Sequence, residues 1–187
     1  MSNFNMRLFV LIASALFSFS SYSQEYIDKN WKPILGADIS ILFNPNSIDN
    51  PYFNSQNHWV EPTKFVLAGI AAQYEYGITY KEWFRVGAHL GLQINIADKT
   101  VTTPIGGSIS LAPLIGEDTR LYGKFIAGWN TAIGKGNKNG MYQHYQIGIE
   151  SQESIRIFAF IADHGFSLKQ HTPYTTMGLG IGGTVFD

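Results

Sequence analysis

From Phe84 to Ile96 the chain alternates without interruption. Phe84, Val86, Ala88, Leu90, Leu92, Ile94 and Ile96 are apolar, and Arg85, Gly87, His89, Gly91, Gln93 and Asn95 are polar or glycine. Successive side chains of a β-strand point to opposite faces, so this run carries one greasy face and one polar or small face. Period two excludes a helix here. A single such strand cannot hide its greasy face alone, so the rest of the chain must supply matching strands.

Seven further stretches do so. Leu35, Ala37, Ile39, Ile41 and Phe43 alternate with Gly36, Asp38, Ser40 and Leu42. Val66, Ala68, Ile70, Ala72, Tyr74 and Tyr76 alternate with Leu67, Gly69, Ala71, Gln73 and Glu75. Ile109, Leu111, Pro113 and Ile115 oppose Ser108, Ser110, Ala112 and Leu114. Leu121, Gly123, Phe125, Ala127 and Trp129 oppose Tyr122, Lys124, Ile126, Gly128 and Asn130. Tyr145, Ile147 and Ile149 oppose His144, Gln146, Gly148 and Glu150. Residues 154 to 163 are less regular, with Phe158 and Phe160 on the same face as Arg156. Met177, Leu179, Ile181 and Val185 oppose Gly178, Gly180, Gly182 and Thr184. Eight strands of about ten residues match the 9–11 that a β-strand needs to cross a bilayer. The mode in globular sheets is shorter, about 5 or 6.

Composition agrees with a membrane sheet. Charged residues make up only 14% of the 187, against about 25% in ordinary soluble domains, yet mean hydropathy is a middling -0.03. No run after the N-terminus is long and apolar enough for a membrane-spanning helix. The absence of cysteine excludes a disulfide framework and thiol chemistry. A net charge of -1 with no basic block argues against a nucleic-acid partner.

Residues 1–23 read as a secretory signal peptide: Arg7, an apolar run from Leu8 to Phe17, then Ser21 and Ser23 before Gln24. Residues 24–33 are expected to be a short periplasmic segment and 34–187 the barrel. The connections 44–64, 97–104, 133–141 and 164–173 are long and polar, whereas those near 79–82, 116–119 and 151–153 are short. Long loops at one end and tight turns at the other is the layout of outer-membrane barrels, with turns and both termini periplasmic. Tyr74, Tyr76, Tyr80, Trp83 and Phe84 flank a short turn, and Trp129 and Tyr142 a long loop, as interfacial girdles do.

On these features the chain resembles the small eight-stranded outer-membrane β-barrel proteins of Gram-negative bacteria. The resemblance implies an all-β, antiparallel, up-and-down transmembrane barrel. It also implies lipids and lipopolysaccharide as surroundings, insertion by the barrel-assembly machinery, and a monomer. Members commonly end in an aromatic residue read by that machinery; here Phe186 precedes Asp187.

With the greasy faces on lipid, the charged positions Asp38, Glu75, Arg85, Lys124, Glu150 and Arg156 point inward, three acids against three bases. An eight-stranded barrel has room inside for little more than side chains, so these must pair and plug it. Turns centred near 80 and 153 set Glu75 opposite Arg85 and Glu150 opposite Arg156.

Candidate chemistry is sparse. Gly134-Lys135-Gly136-Asn137-Lys138-Asn139-Gly140 lacks the spacing of a phosphate loop and reads as an external loop whose Lys residues face lipopolysaccharide. The histidines His58, His89, His144, His164 and His171 show no metal-ligand spacing, so no metal or other cofactor is expected. Asp163-His164-Gly165-Phe166-Ser167, with His171 nearby, resembles the His/Ser/acid set of lipid A deacylases, which implies Ser167 as nucleophile and His164 as base. The His-to-Ser spacing of three departs from that family's closer pattern. The chain therefore reads as a structural or interaction protein acting through its loops rather than an enzyme. A deacylase and a small pore or carrier for hydrophobic molecules stand as alternatives.

Overall fold

A computed structural model describes residues 30–44, 52–53, 59–60, 66–96, 99–133, 138–151, 153–169 and 172–186. The expected signal peptide, residues 24–29, His58, His171 and Gly134–Asn137 lie outside the described residues. The barrel strands are β1 (Trp31–Asn44), β4 (Val66–Tyr80), β5 (Phe84–Asn95), β6 (Thr100–Leu111), β7 (Thr119–Ile133), β8 (Asn139–Ser151), β9 (Ile155–Lys169) and β10 (Thr172–Phe186). They close antiparallel in the order β1-β10-β9-β8-β7-β6-β5-β4. Two short strands, β2 (Tyr52–Phe53) and β3 (Trp59–Val60), pair as a ribbon between β1 and β4.

Facing follows the alternation. Ile39, Ile70, Leu90, Ile105, Trp129, Ile147, Ile157 and Ile181, one from each barrel strand, point outward with 54–64% of their surface exposed. Asp38, Glu75, Arg85, Lys124, Glu150 and Arg156 are buried inside. A soluble barrel has the opposite arrangement, with apolar residues filling its interior.

Three facings depart from simple counting. Leu42 pairs with Gly69 but Phe43 pairs with Leu67, leaving Ala68 as an extra residue in β4. This bulge turns Ala68 inward and Leu67 outward, the reverse of the expected assignment. Leu114 and Ile115 lie beyond the end of β6 and are both exposed. Tyr142, expected in an interfacial girdle, is fully buried in the lumen.

The strands are also longer than expected, at 12 to 15 residues. β1 begins at Trp31, three residues ahead of the expected barrel start. Thr100–Pro104, Asn139–Met141 and His164–Lys169 were expected in loops and are strand. There the inward face is still polar (Thr100, Thr102 and His164 are buried) while the outward face loses its apolar character in places, so a hydropathy pattern no longer marks the strand. Of the four long connections, the one from β1 to β4, residues 45 to 65 between the described strands, keeps its expected length.

Glycines in β10 make room for the rings of β9. A Cβ on Gly178 would stand 2.6 Å from Phe160 Cε1, and one on Gly180 would overlap the Phe158 ring. Phe158 and Phe160 belong to the apolar cluster that fills this side of the lumen. Gly180→Val should therefore destabilise the folded barrel by about 1–3 kcal/mol through overpacking. Urea titration in micelles measures it, and an unchanged midpoint would show that the rings can move aside.

Candidate functional site

The lumen holds the chain's buried chemistry. At the end shared by Trp31 and Phe186, six side chains form one continuous line of alternating charge. Arg85 grips Glu150 with both terminal nitrogens, Nη1 donating to Oε2 at 2.7 Å and Nη2 to Oε1. Arg156 Nη1 lies 3.8 Å from the same Glu150. Its Nε and Nη2 donate to Asp38 Oδ1 at 2.8 and 2.6 Å. Asp38 Oδ2 is 3.8 Å from Lys124 Nζ, which donates to Glu75 Oε2 at 2.5 Å. Ser108 Oγ closes the line, donating to Glu75 Oε1 at 2.5 Å. Each charge meets an opposite one, which offsets the desolvation that a lone buried ion would suffer.

Aromatic faces back this line. The Tyr122 ring centre is 5.0 Å from the Arg156 guanidinium carbon and 5.8 Å from that of Arg85. Phe186 stands 5.2 Å from Arg85. The negative ring face favours a cation at such distances.

The partners differ from those expected by counting from turns. Glu75 lies opposite His89, and Arg85 opposite Thr79, because the β4–β5 hairpin turns around Glu82 rather than residue 80. Glu150 does lie opposite Arg156, yet its close contact is Arg85 across the barrel. Strand tilt in a closed barrel staggers neighbours, so residues at one height come from distant strands.

Two charged residues that join this region, Glu82 and Arg120, are not among those the sequence singles out. Lys81 and Glu82 adopt left-handed backbone, φ 48° and 64°, in a turn closed by the Trp83 N–H donating to the Tyr80 carbonyl at 3.3 Å. The Glu82 carbonyl accepts from Arg85 Nη2 at 3.0 Å and from Arg120 Nη1 at 2.9 Å. Its carboxylate accepts from Arg120 Nη2 at 2.8 Å. Arg120 sits opposite Glu150 in the β7–β8 register, and its place two residues before Tyr122 on the inward face is the sequence signal for it.

Farther along, a neutral hydrogen-bonded chain crosses the barrel. Gln93 Nε2 donates to Tyr142 Oη at 3.1 Å, Tyr142 to His144 Nδ1 at 3.0 Å, and His144 Nε2 to Gln146 Oε1 at 3.3 Å. His144 stacks on Phe160, ring centres 4.8 Å apart. At the opposite end from the ion chain, His164 is fully buried. Asn130 Nδ2 donates to its Nδ1 at 2.6 Å, and its Nε2 donates to Thr176 Oγ1 at 2.9 Å. Tyr174, Tyr142 and Phe166 surround it, ring centres 4.4 to 5.9 Å away.

That placement bears on the Ser167–His164 pair. Both ring nitrogens of His164 are held by Asn130 and Thr176, so neither is turned to Ser167. The Ser167 carbonyl accepts from Lys138 Nζ. Asp163 is exposed and accepts the Gly165 N–H at 2.9 Å, a turn contact and not a support for His164. Among the described residues no group of three or more His, Cys, Asp or Glu could hold a metal ion.

A closed eight-stranded antiparallel barrel with an apolar outer belt and a polar, filled interior has the architecture of the small outer-membrane β-barrels. The solved structure of Neisserial surface protein A is similar over 82% of this chain and 96% of its own, with a TM-score of 0.56 and 12% identity. The outer membrane enzyme PagL is similar over 81% of this chain and 98% of its own, with a TM-score of 0.46 and 8% identity. Ail, the attachment invasion locus protein of Yersinia pestis, is similar over 83% and 97%, with a TM-score of 0.40 and 15% identity. At such identities the likeness is one of fold. No family model and no curated protein matches the chain.

Proposed function

We propose that the protein resides in the outer membrane of a Gram-negative bacterium as a monomeric barrel with a plugged lumen and both termini periplasmic. It acts as a structural or interaction protein through its external loops. The observation that carries this reading is the outward belt: every barrel strand presents a large, exposed apolar residue at mid-length. A contiguous apolar surface of this extent is stable only against lipid or a partner. Outer-membrane lipids and lipopolysaccharide are its surroundings, and the barrel-assembly machinery inserts it. The connection carrying β2 and β3 places Tyr52, Phe53 and Trp59 at the end of the barrel that would face outward.

Two measurements test this. The protein should stay with membranes through carbonate washing and migrate differently on gels boiled and unboiled; release by carbonate and identical migration would sink the placement. In planar bilayers the ion-paired lumen should give no stepwise conductance. Discrete steps would instead favour a pore.

A further inference from the structure

Four side chains on one wall of the lumen carry buried polar atoms that have no partner in the protein. Gln73 Oε1 and Nε2, His89 Nδ1 and Nε2, Gln93 Oε1 and Thr102 Oγ1 make no hydrogen bond. None of the four residues is more than 4% exposed. The pairing makes them one patch. Gln73 lies opposite Gly91 between β4 and β5, His89 and Gln93 flank Gly91 on β5, and Thr102 lies opposite Gln93 on β6. Directly opposed and next-but-one residues on one sheet face are within side-chain reach.

We propose that this patch is a binding site for ordered water, set between the ion chain and the His164 end of the lumen. A buried donor or acceptor left unmade forfeits its whole hydration, which costs more than a made hydrogen bond returns. Six such atoms in one patch demand a ligand. The donor set defines it. Glutamine amides offer both senses of bond, a neutral imidazole offers one of each, and a threonine hydroxyl does both. The patch carries no charge requirement of its own, because the neighbouring Glu75 and Lys124 are already paired with each other. A ligand that is neutral, both donor and acceptor, and small enough for the interior of an eight-stranded barrel is water.

The site joins two networks that protein groups alone leave separate. His89 faces Glu75 across β4–β5, at the end of the ion chain. Gln93 already donates to Tyr142 and so to His144 on the opposite wall, where Gln146 Nε2 is a further unpartnered donor. Water bound at Gln73 and His89 makes one continuous polar column of the ion chain and the Gln93–Tyr142–His144 chain. The inference rests on lumen geometry and not on where the barrel resides, so the membrane tests above can fail without touching it.

The test uses the full folded protein in micelles, with water as the probe. Magnetisation transfer from water to the side-chain amide protons of Gln73 should reveal bound, slowly exchanging water. Its absence overturns the site. Gln73→Leu gives an independent readout. If the amide holds water, the substitution breaks the cluster and raises the unfolding equilibrium constant about tenfold. If the patch is dry, Leu relieves an unmet amide, and a constant that falls or stays the same overturns the proposal. Should Gln73→Leu not fold, the unsubstituted protein still decides through the first measurement.

Discussion

Lys124→Met should destabilise the barrel by about 3–5 kcal/mol, the usual result of removing one member of a buried ion pair. Lys124 Nζ is the partner of Glu75 at 2.5 Å and touches Asp38 at 3.8 Å. Asp38 would keep Arg156, but Glu75 would retain only the Ser108 hydroxyl. A carboxylate stranded in the lumen then pays its desolvation alone. The paired substitution Lys124→Met with Glu75→Leu removes both charges, and should recover most of the loss because apolar replacements of similar volume are often neutral or better. By contrast Lys32 and Glu82, 3.5 Å apart with side chains 45% and 36% exposed, form a surface pair. Lys32→Met should cost only about 0–1 kcal/mol. Urea unfolding in lipid vesicles measures all three. If the single Lys124 variant matches the Lys32 variant, the lumen charges are individually hydrated and the ion chain is not what fills the barrel.

Ile39→Arg carries the second large effect. Ile39 lies at mid-strand between Ala72 and Ile181, and its side chain points outward. At the midplane of a bilayer an arginine on the lipid face costs about 2–4 kcal/mol, falling to about 0–1 near the interface. Glu117→Arg, in the exposed turn between β6 and β7, serves as the interfacial control. On a soluble barrel both substitutions would stay within about 0.5 kcal/mol, as exposed positions usually do. Equal effects at Ile39 and Glu117 would contradict a lipid-facing belt. Orientation does not enter, since the midplane is the same distance from either end.

How much of this was legible beforehand can be seen strand by strand. In β5 every facing from Phe84 to Asn95 follows from alternation alone, because nothing interrupts the pleat. In β4 the count fails at Ala68, where one inserted residue moves Leu67 to the outside. Alternation has no way to register an insertion whose neighbours are all apolar. The ends of β6, β8 and β9 were hidden for another reason. Beyond the belt, outward residues need no longer be greasy, so Thr100–Pro104 and His164–Lys169 look like loop while their inward partners still line the lumen. His164 is the clearest case. In a loop it would be a solvated base beside Ser167, but in β9 it is a buried link between Asn130 and Thr176.

What the amino-acid sequence determined on its own is the two-faced sheet. The period of two, with few charges and an apolar residue at nearly every second position, dictates strands that expose one greasy face and bury one polar face. It also dictates the six inward charges, since their sum of zero permits complete pairing. Which charge meets which was decided only by closure of the barrel. Arg85 and Glu150 are 65 residues apart, Lys124 and Glu75 49, and Arg156 and Asp38 118. None of these pairs lies on adjacent strands. Pairing across the lumen depends on the tilt and stagger that bring distant strands to one height. That is a property of the closed ring, and no local run of residues contains it.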